Sequence, residues 1–310
     1  NGTDALEIAF RVISTNSKIP LEKQVILVPS FTYISTASAV KLAGIQVEYI
    51  DISDQGYLVG PTQVHKVMHE NVIAVVAVSL FGAIPDFSGI RSILSPFPNV
   101  ILVEDAAQSF GSGESMKHPD VDIACTSFYP SKILGAQGDA GGIICNTEYE
   151  VPIRKMANHG GIGELNIGRN SRMDGYQAAL LSEKLQCIKL ITSARRHVLE
   201  SYHHELHMIS DIIIPVYKSS EVCSQYTIWV KKAVLRDNLV YHLLDNGIDV
   251  RVFYHTPCHL KIPISSILSL YPHTNNASTH VISLPAFPFL GYSEIHHICT
   301  IIKNFFFNYQ

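Results

Sequence analysis

Residues 72–78 read Val-Ile-Ala-Val-Val-Ala-Val, an unbroken run of apolar side chains. Such a run is typical of a strand that is buried on both faces, as in a parallel sheet covered by helices. Similar short runs recur along the first two-thirds of the chain, separated by stretches with helical spacing of apolar residues. The predicted strands are 24–28, 46–50, 72–78, 100–103, 123–127 and 142–145, and the helices between them include 32–42 and 87–94. This alternation predicts an α/β fold with a mainly parallel sheet.

The pattern changes after Asp174. A helical face continues past Arg196, and beyond position 205 short strands and helices are mixed, at 225–230, 239–246 and 250–254. We therefore predict a large domain over 1–205 and a smaller α+β domain over 206–310.

Composition narrows the class of protein. Of the 310 residues, 47% are hydrophobic and 16% charged, which is typical of a chain with a sizeable core. The net charge of −4 gives no electrostatic reason to expect a nucleic-acid or membrane partner. The six cysteines form no Cys-x-x-Cys pair, which favours a reduced, cytoplasmic location. The adjacent histidine pairs lack further metal-ligand residues nearby, so we expect no metal site.

Lys132 is the first candidate for chemistry. It follows the strand 123–127 and precedes a glycine-rich turn, 135–142, that leads into another strand. A lysine in such a crevice can lose its proton on desolvation, and its neutral amine can then attack a carbonyl group. The glycine-rich turn is not a phosphate-binding P-loop, because no Gly-Lys-Ser/Thr sequence closes it. Taken alone, Lys132 could equally be a solvated surface residue.

Asp105 is the second candidate. The strand 100–103 delivers it to the carboxyl edge of the sheet, where open α/β folds bind ligands. A carboxylate there could be a helix cap, a metal ligand or the partner of a cationic ring nitrogen. Lys132 at a second strand end favours the last of these, because pyridoxal phosphate needs a lysine for its aldehyde and an acid for its pyridinium nitrogen.

A phosphate site is then expected. Gly2-Thr3-Asp4 opens a helix, and the N–H groups of a first helical turn bind anions. The hydroxyl of Ser127 could add a second donor. By itself, a Gly-Thr helix start is an ordinary cap.

These stretches occur in an order that resembles the DegT/StrS group of sugar-nucleotide aminotransferases. The resemblance covers nearly the whole chain. It is carried by GTDAL at 2–6, PSFTY at 29–33, EDAAQ at 104–108, SFYPSK at 127–132, NSRMD at 170–174, QAA at 177–179, YHTPCH at 254–259 and Leu-Pro at 284–285.

The resemblance implies the aspartate-aminotransferase type of pyridoxal-phosphate fold. It also implies a homodimer that shares its active sites between subunits. Lys132 matches the lysine that binds the cofactor and carries the proton. Asp105 matches the partner of the ring nitrogen, Gln108 the residue beside the phenolic oxygen, and Tyr33 the aromatic residue stacked on the ring.

At the phosphate, the resemblance implies Thr3, the backbone of Asp4 and Ser127. Asn170 matches an asparagine that reaches the phosphate from the neighbouring subunit. The residues that match substrate-contacting stretches are Arg172, Tyr254 and His259.

The reaction implied is transfer of an amino group, with glutamate as the expected donor, to a keto sugar carried on a nucleotide. The segment ending in Gly138-Asp139 resembles relatives that aminate a 3-keto sugar. Relatives that act as dehydratases carry histidine where Lys132 stands. The alternatives are a non-catalytic or regulatory relative, a pyridoxal-phosphate sugar dehydratase, and a plain α/β binding domain.

Two departures from the family pattern bear on activity. The chain lacks the few dozen residues that precede the Gly-Thr motif in the family, so we expect turnover to be more affected than cofactor binding. The segment 160–168 is short, which predicts an altered substrate loop.

Overall fold

The computed structural model describes residues 1–54, 56–161, 167–263 and 271–308, so part of the short segment 160–168 lies outside the described residues. The helices are α1 (Gly2–Asn16), α2 (Ile34–Leu42), α3 (Pro61–His65), α4 (Phe87–Leu94), α5 (Thr147–Ala157), α6 (Gly175–Gln186), α7 (Ile188–Leu206), α8 (Ala233–Asp245), α9 (Cys258–Lys261), α10 (Pro272–His280) and α11 (Tyr292–Asn308). The strands are β1 (Val25–Pro29), β2 (Gln46–Ile50), β3 (Val72–Val78), β4 (Ile101–Asp105), β5 (Ile123–Ser127), β6 (Gly141–Cys145), β7 (Ile212–Ile213), β8 (Tyr226–Val230) and β9 (Val281–Leu284).

A six-stranded sheet in the order β2-β1-β3-β4-β5-β6 forms the large domain. The pairs from β2 through β5 are parallel, and only β6 joins antiparallel. Every residue of β3 is buried, as its apolar sequence predicts. Because the parallel strands run the same way, the carboxyl ends of β1, β3, β4 and β5 meet at one edge of the sheet. The predicted α/β fold with a mainly parallel sheet is confirmed.

Helix α1 begins where Asn1 caps it. The Asn1 side-chain oxygen accepts a hydrogen bond of 2.9 Å from the Asp4 N–H, which satisfies one unpaired donor of the first turn. The buried side of the helix carries Ala5, Ile8 and Val12 into the main core. These contacts fix the first turn of α1 beside the carboxyl end of β5.

The second unit is built on a three-stranded antiparallel sheet, β7-β8-β9, with α7, α8 and α11 around one core. That core already includes Val198 and Tyr202 of α7. Conversely, Tyr254 and Cys258 pack into the core of the large domain. The division at residue 205 therefore falls inside a helix whose second half serves the small domain, and it stays a prediction.

Two sequence expectations differ from the structure. The stretch 250–254 forms no strand: Arg251 makes a single bridge to Ser283. Helix α8 begins at Ala233, six residues before the predicted start. Within the described residues, no helix is both long and apolar enough to cross a membrane.

Candidate active site

Asp105 and Lys132 lie at the carboxyl edge of the sheet. Asp105 ends β4, and its carboxylate accepts hydrogen bonds from the Thr36 hydroxyl (2.8 Å) and the Ala107 N–H (3.1 Å). Lys132 follows β5 in a turn that its own N–H closes on the Tyr129 carbonyl (2.8 Å). The charges of the two side chains interact electrostatically. The structure thus brings together the two residues that the sequence singled out first.

Burial dominates the electrostatics of this pair. Asp105 is only 5% exposed, and burial raises the pKa of its carboxyl group against the opposing effects of Thr36, Ala107 and Lys132. Burial likewise lowers the pKa of Lys132, and the negative charge of Asp105 opposes that shift. Both groups are therefore pushed towards their neutral forms. A neutral lysine amine is the form that can attack a carbonyl carbon.

Gln108, three residues after Asp105, is fixed by two side-chain hydrogen bonds. Its amide oxygen accepts a hydrogen bond from the Phe81 N–H (2.8 Å), and its amide nitrogen donates to the Tyr254 hydroxyl (3.0 Å). Burial raises the pKa of Tyr254, and the nearby charge of Asp105 raises it further. The Tyr254 hydroxyl is thus held neutral at the same edge of the sheet.

The backbone of Phe81 joins this site to the small domain. Its carbonyl accepts hydrogen bonds from the Ser224 N–H (2.9 Å) and the Tyr217 hydroxyl (3.2 Å). Phe81 adopts a positive φ of 58°, which turns its N–H towards Gln108. No motif in the sequence points to Phe81 or to Thr36, because their contacts with Gln108 and Asp105 join residues that are distant along the chain.

Tyr33 is more than half exposed at the start of α2, and its ring centroid lies 6.3 Å from that of Tyr254. An exposed aromatic ring beside buried polar groups is free to stack on a planar ligand. This placement agrees with the role that the resemblance implies.

The start of α1 meets Ser127 and the start of α2. A Cβ on Gly2 would lie 2.8 Å from the Ser127 Cβ, so only glycine permits this approach. The Thr3 hydroxyl donates to the Ser35 hydroxyl over 2.9 Å. The N-terminus of α1 thus lies beside Ser127 and contacts the start of α2, and the N–H groups of a helix N-terminus are suited to binding a phosphate. Ser35 is an addition that the sequence did not suggest.

Asp4 has contacts of its own at the start of α1. Its backbone N–H donates to the Asn1 cap, and its expected hydrogen bond to the phosphate stays a prediction. Its carboxylate accepts a hydrogen bond from the Ser171 hydroxyl (2.7 Å) and lies 3.6 Å from the Arg169 guanidinium. Asp4 thus ties α1 to the segment that carries Asn170.

Asn170 and Arg172 are both exposed. Asn170 pairs with Asn158 in an isolated β-bridge, and the Arg172 guanidinium donates to the Asn158 side chain over 2.9 Å. The Asn170 side chain therefore lies on the surface, as its expected contact with a neighbouring subunit requires.

His259 does not lie at the surface of the crevice. It is buried on α9, where its Nδ1 shares a hydrogen bond with Ser30 and its ring packs against Tyr49 and Tyr271. Burial lowers its pKa. These contacts assign His259 to the packing of α9, and its expected contact with substrate stays a prediction. In the described part of the chain, no group of three metal-binding side chains occurs.

Comparison with known proteins defines the class. Residues 1–303 match the DegT/DnrJ/EryC1/StrS aminotransferase family. UDP-2-acetamido-2-deoxy-3-oxo-D-glucuronate aminotransferase of Pseudomonas aeruginosa is 32% identical over 98% of this chain and 84% of its own length. A pleiotropic regulatory protein of Geobacillus stearothermophilus is 31% identical over 99% of this chain and 83% of its own.

Among solved structures, DesV of S. venezuelae in complex with a ketimine intermediate is similar, with a TM-score of 0.88 and 27% identity. The similarity covers 98% of this chain and 82% of DesV. The chain belongs to the DegT/DnrJ/EryC1/StrS aminotransferase family, and it is an aminotransferase whose cofactor is pyridoxal phosphate.

The site fits this cofactor chemically. Asp105 is a buried carboxylate whose two hydrogen-bond donors, Thr36 and Ala107, are both uncharged. A protonated ring nitrogen would supply the positive charge that such a carboxylate needs in a desolvated place. Lys132 would offer an amine to the aldehyde, and the hydroxyls of Thr3 and Ser127 would face the phosphate. The donor set therefore matches the ring, the aldehyde and the phosphate.

Proposed function

We propose that this protein transfers an amino group from an amino-acid donor, glutamate in our expectation, to a keto sugar carried on a nucleotide. The observation that carries the proposal is the buried Asp105 beside the desolvated Lys132. The 3-oxo substrate in the name of the Pseudomonas relative supports a keto group at the 3-position. The product would serve amino-sugar biosynthesis.

When bound, pyridoxal phosphate supplies an electron sink and a carrier for the amino group. The Lys132 Nζ would hold the cofactor through its aldehyde group and would serve as the base and the acid at the substrate carbon. The Asp105 carboxylate would hold the proton on the ring nitrogen. The Gln108 amide, which donates to the Tyr254 hydroxyl, would lie beside the phenolic oxygen, and Tyr33 would stack on the ring.

The test of Lys132 uses purified protein loaded with pyridoxal phosphate. Lys132→Ala should lose both the near-visible absorbance of the covalently bound cofactor and the release of 2-oxoglutarate from glutamate and a 3-keto nucleotide sugar. Lys117→Ala, at an exposed lysine, is the control and should behave as wild type. Retention of absorbance and turnover in Lys132→Ala would reject the proposal.

We also infer a homodimer with shared active sites. Helix α6 buries only Leu181, and its Tyr176 side chain is 67% exposed. Together with the exposed Asn170, this surface supports a subunit contact close to the site. Light scattering of the purified protein should give twice the chain mass, whereas a monomer with full turnover would contradict the inference.

A cytoplasmic location is part of the proposal. All six cysteines are free, and four of them are buried. Free cysteines persist in a reducing compartment.

A regulatory role is the second candidate, because one relative is a pleiotropic regulatory protein. Such a protein would bind the cofactor through Lys132 without turnover. Loaded protein that keeps its absorbance after incubation with glutamate would favour this role, and bleaching with release of 2-oxoglutarate would exclude it.

A further inference from the structure

Lys132 sits in a closed loop, residues 128–140, that we call the lysine loop. The Phe128 N–H donates to the Ala140 carbonyl (2.9 Å), and the Ala136 N–H donates to the Phe128 carbonyl (2.7 Å). A Cβ on Gly135 would lie 2.3 Å from the Pro130 carbonyl oxygen, so this crossing requires glycine. These bonds close the loop at Phe128 but leave the middle of its second half, around Gln137, to be held from elsewhere.

Helix α6 holds that middle. The Gln177 side-chain oxygen accepts a hydrogen bond from the Gln137 N–H (2.9 Å), and the Tyr176 hydroxyl donates to the Gln137 side chain (2.8 Å). About two turns further along, the Lys184 ammonium group donates to the Gly135 carbonyl. Three side chains of one helix therefore bind the lysine loop.

Apolar packing fixes the same contact. Leu181, the only buried residue of α6, packs in a small cluster with Leu134, Ala136 and Ala140 of the lysine loop. The absence of a side chain at Gly138 allows Gln177 to lie close, because a Cβ there would be 2.8 Å from the Gln177 amide nitrogen. The one buried face of α6 is thus directed at the loop that carries Lys132.

We propose that Gln177 is a positioning residue for Lys132: by accepting the Gln137 N–H, it fixes the lysine loop so that the Lys132 amine is held at the cofactor's aldehyde carbon. The inference rests on the proposed function of Lys132. Small displacements of a reacting group cost rate rather than binding, so loss of this hydrogen bond should lower kcat and leave KM nearly unchanged.

The substitutions separate the hydrogen bond from the shape of the side chain. Gln177→Met keeps the length and volume but removes the acceptor, whereas Gln177→Glu keeps an acceptor oxygen. Gln186→Met makes the same change at the exposed end of α6, where the side chain reaches only Glu183 at 3.5 Å. All three are made in the full chain.

The first readout is amide hydrogen exchange of the cofactor-free protein. Gln177→Met should speed exchange at the Gln137 amide by about tenfold, because one hydrogen bond is lost. Gln177→Glu and Gln186→Met should leave it within about twofold of wild type. This measurement bears on the loop alone, so it separates failure of this inference from failure of the proposed function.

The second readout is made on the loaded protein. Gln177→Met should lower kcat by about tenfold with KM for both substrates within about twofold, and Gln177→Glu should restore kcat. The apparent pKa of the Lys132–cofactor linkage, followed by absorbance against pH, should shift in Gln177→Met only. Wild-type exchange, kcat and apparent pKa in Gln177→Met, or equal loss in Gln177→Glu, would overturn the inference.

Discussion

The pKa values of two buried carboxylates in this protein, Glu205 and Asp105, are shifted in opposite directions. Glu205 of α7 accepts hydrogen bonds from the Tyr292 hydroxyl (2.8 Å), His296 (2.9 Å) and the Lys303 ammonium group, all on α11. Asp105 has only two uncharged donors. The hydrogen bond from Lys303, then those from His296 and Tyr292, lower the pKa of Glu205 to about 2, whereas burial raises the pKa of Asp105.

From this difference we infer a different role for each carboxylate. The charge of Glu205 is satisfied by the chain itself, so it clamps α7 to α11 and stabilises the small domain. The charge of Asp105 is only partly compensated by Thr36, Ala107 and the charge of Lys132, which is costly for folding and leaves room for a further cation. A protonated pyridine ring nitrogen is such a cation. The following predictions test this contrast.

The largest effect is expected for turnover on removing the Asp105 charge. Asp105→Asn should lower kcat/KM by about 10²–10³-fold or more, because the ring nitrogen loses the group that keeps it protonated. Glu205→Gln should leave kcat/KM within about twofold, since Glu205 stabilises the fold only. Steady-state kinetics of both variants check this, and equal losses in the two would contradict the contrast.

Asp105→Asn should also leave the cofactor-free fold at least as stable as wild type at neutral pH. The raised pKa of Asp105 means that the carboxyl group stabilises the fold only while protonated. That stability is lost as the pH rises from the unfolded pKa through the folded pKa. A lower thermal midpoint for cofactor-free Asp105→Asn at pH 7 would show that the charge is compensated within the chain.

Thr3 tests the phosphate end. Thr3→Val keeps the shape but removes the hydroxyl that donates to Ser35, and cofactor affinity should fall by about tenfold. Thr15→Val removes the hydroxyl that donates to the Arg11 carbonyl at the other end of α1 and should not change affinity. Titration of cofactor into both proteins measures the effect. Equal dissociation constants for the two variants would show that the phosphate does not bind at the start of α1.

The pH dependence of cofactor capture follows from the Lys132 amine. Capture by the cofactor-free protein should rise with pH and reach its midpoint below the ordinary lysine pKa of 10.5, because burial lowers the pKa. The charge of Asp105 raises the pKa of Lys132, so Asp105→Asn should move the midpoint to lower pH. Stopped-flow absorbance gives the midpoint. A midpoint that stays fixed or rises in Asp105→Asn would contradict the pairing of the two residues.

The smallest effect is expected for stability at Glu205. Its lowered pKa means that the stabilisation is present above the unfolded value of 4.5 and is lost as the pH falls towards 2. Glu205→Gln should cost about 1 kcal/mol or less at pH 7, and the difference from wild type should vanish near pH 2. Denaturant unfolding at both pH values checks this, with Glu200→Gln on the exposed side of α7 as the control. If the difference in unfolding free energy between wild type and Glu205→Gln persists at pH 2, the loss of stability comes from packing and not from the charge.

Much of the large domain could be predicted from local patterns. The strand 72–78 and the helix 87–94 were predicted to the residue, because one is apolar throughout and the other is capped by Asp86 and amphipathic. The sequence predicts regular secondary structure for the stretch 250–254. In the structure this stretch forms one isolated β-bridge, from Arg251 to Ser283. Its apolar side chains pack between the two cores instead.

The site was predictable where a residue ends a strand or begins a helix. Asp105 and Thr3 are of this kind, and Lys132 follows the end of β5 by five residues. Residues that support them through distant contacts could not be found, because Thr36 meets Asp105 from 69 positions away and Gln177 meets Gln137 from 40. The hydrogen bond between the Asp4 N–H and the Asn1 side chain is a further contact that the sequence did not indicate.

The most direct test of Lys132 is a mass spectrum. The protein is loaded with pyridoxal phosphate, reduced with borohydride to trap the linkage, digested and sequenced. The account predicts one modified lysine, Lys132, in wild type and in Glu205→Gln, with strongly reduced loading in Asp105→Asn. Cofactor trapped on another lysine, or equal loading in all three proteins, would contradict it.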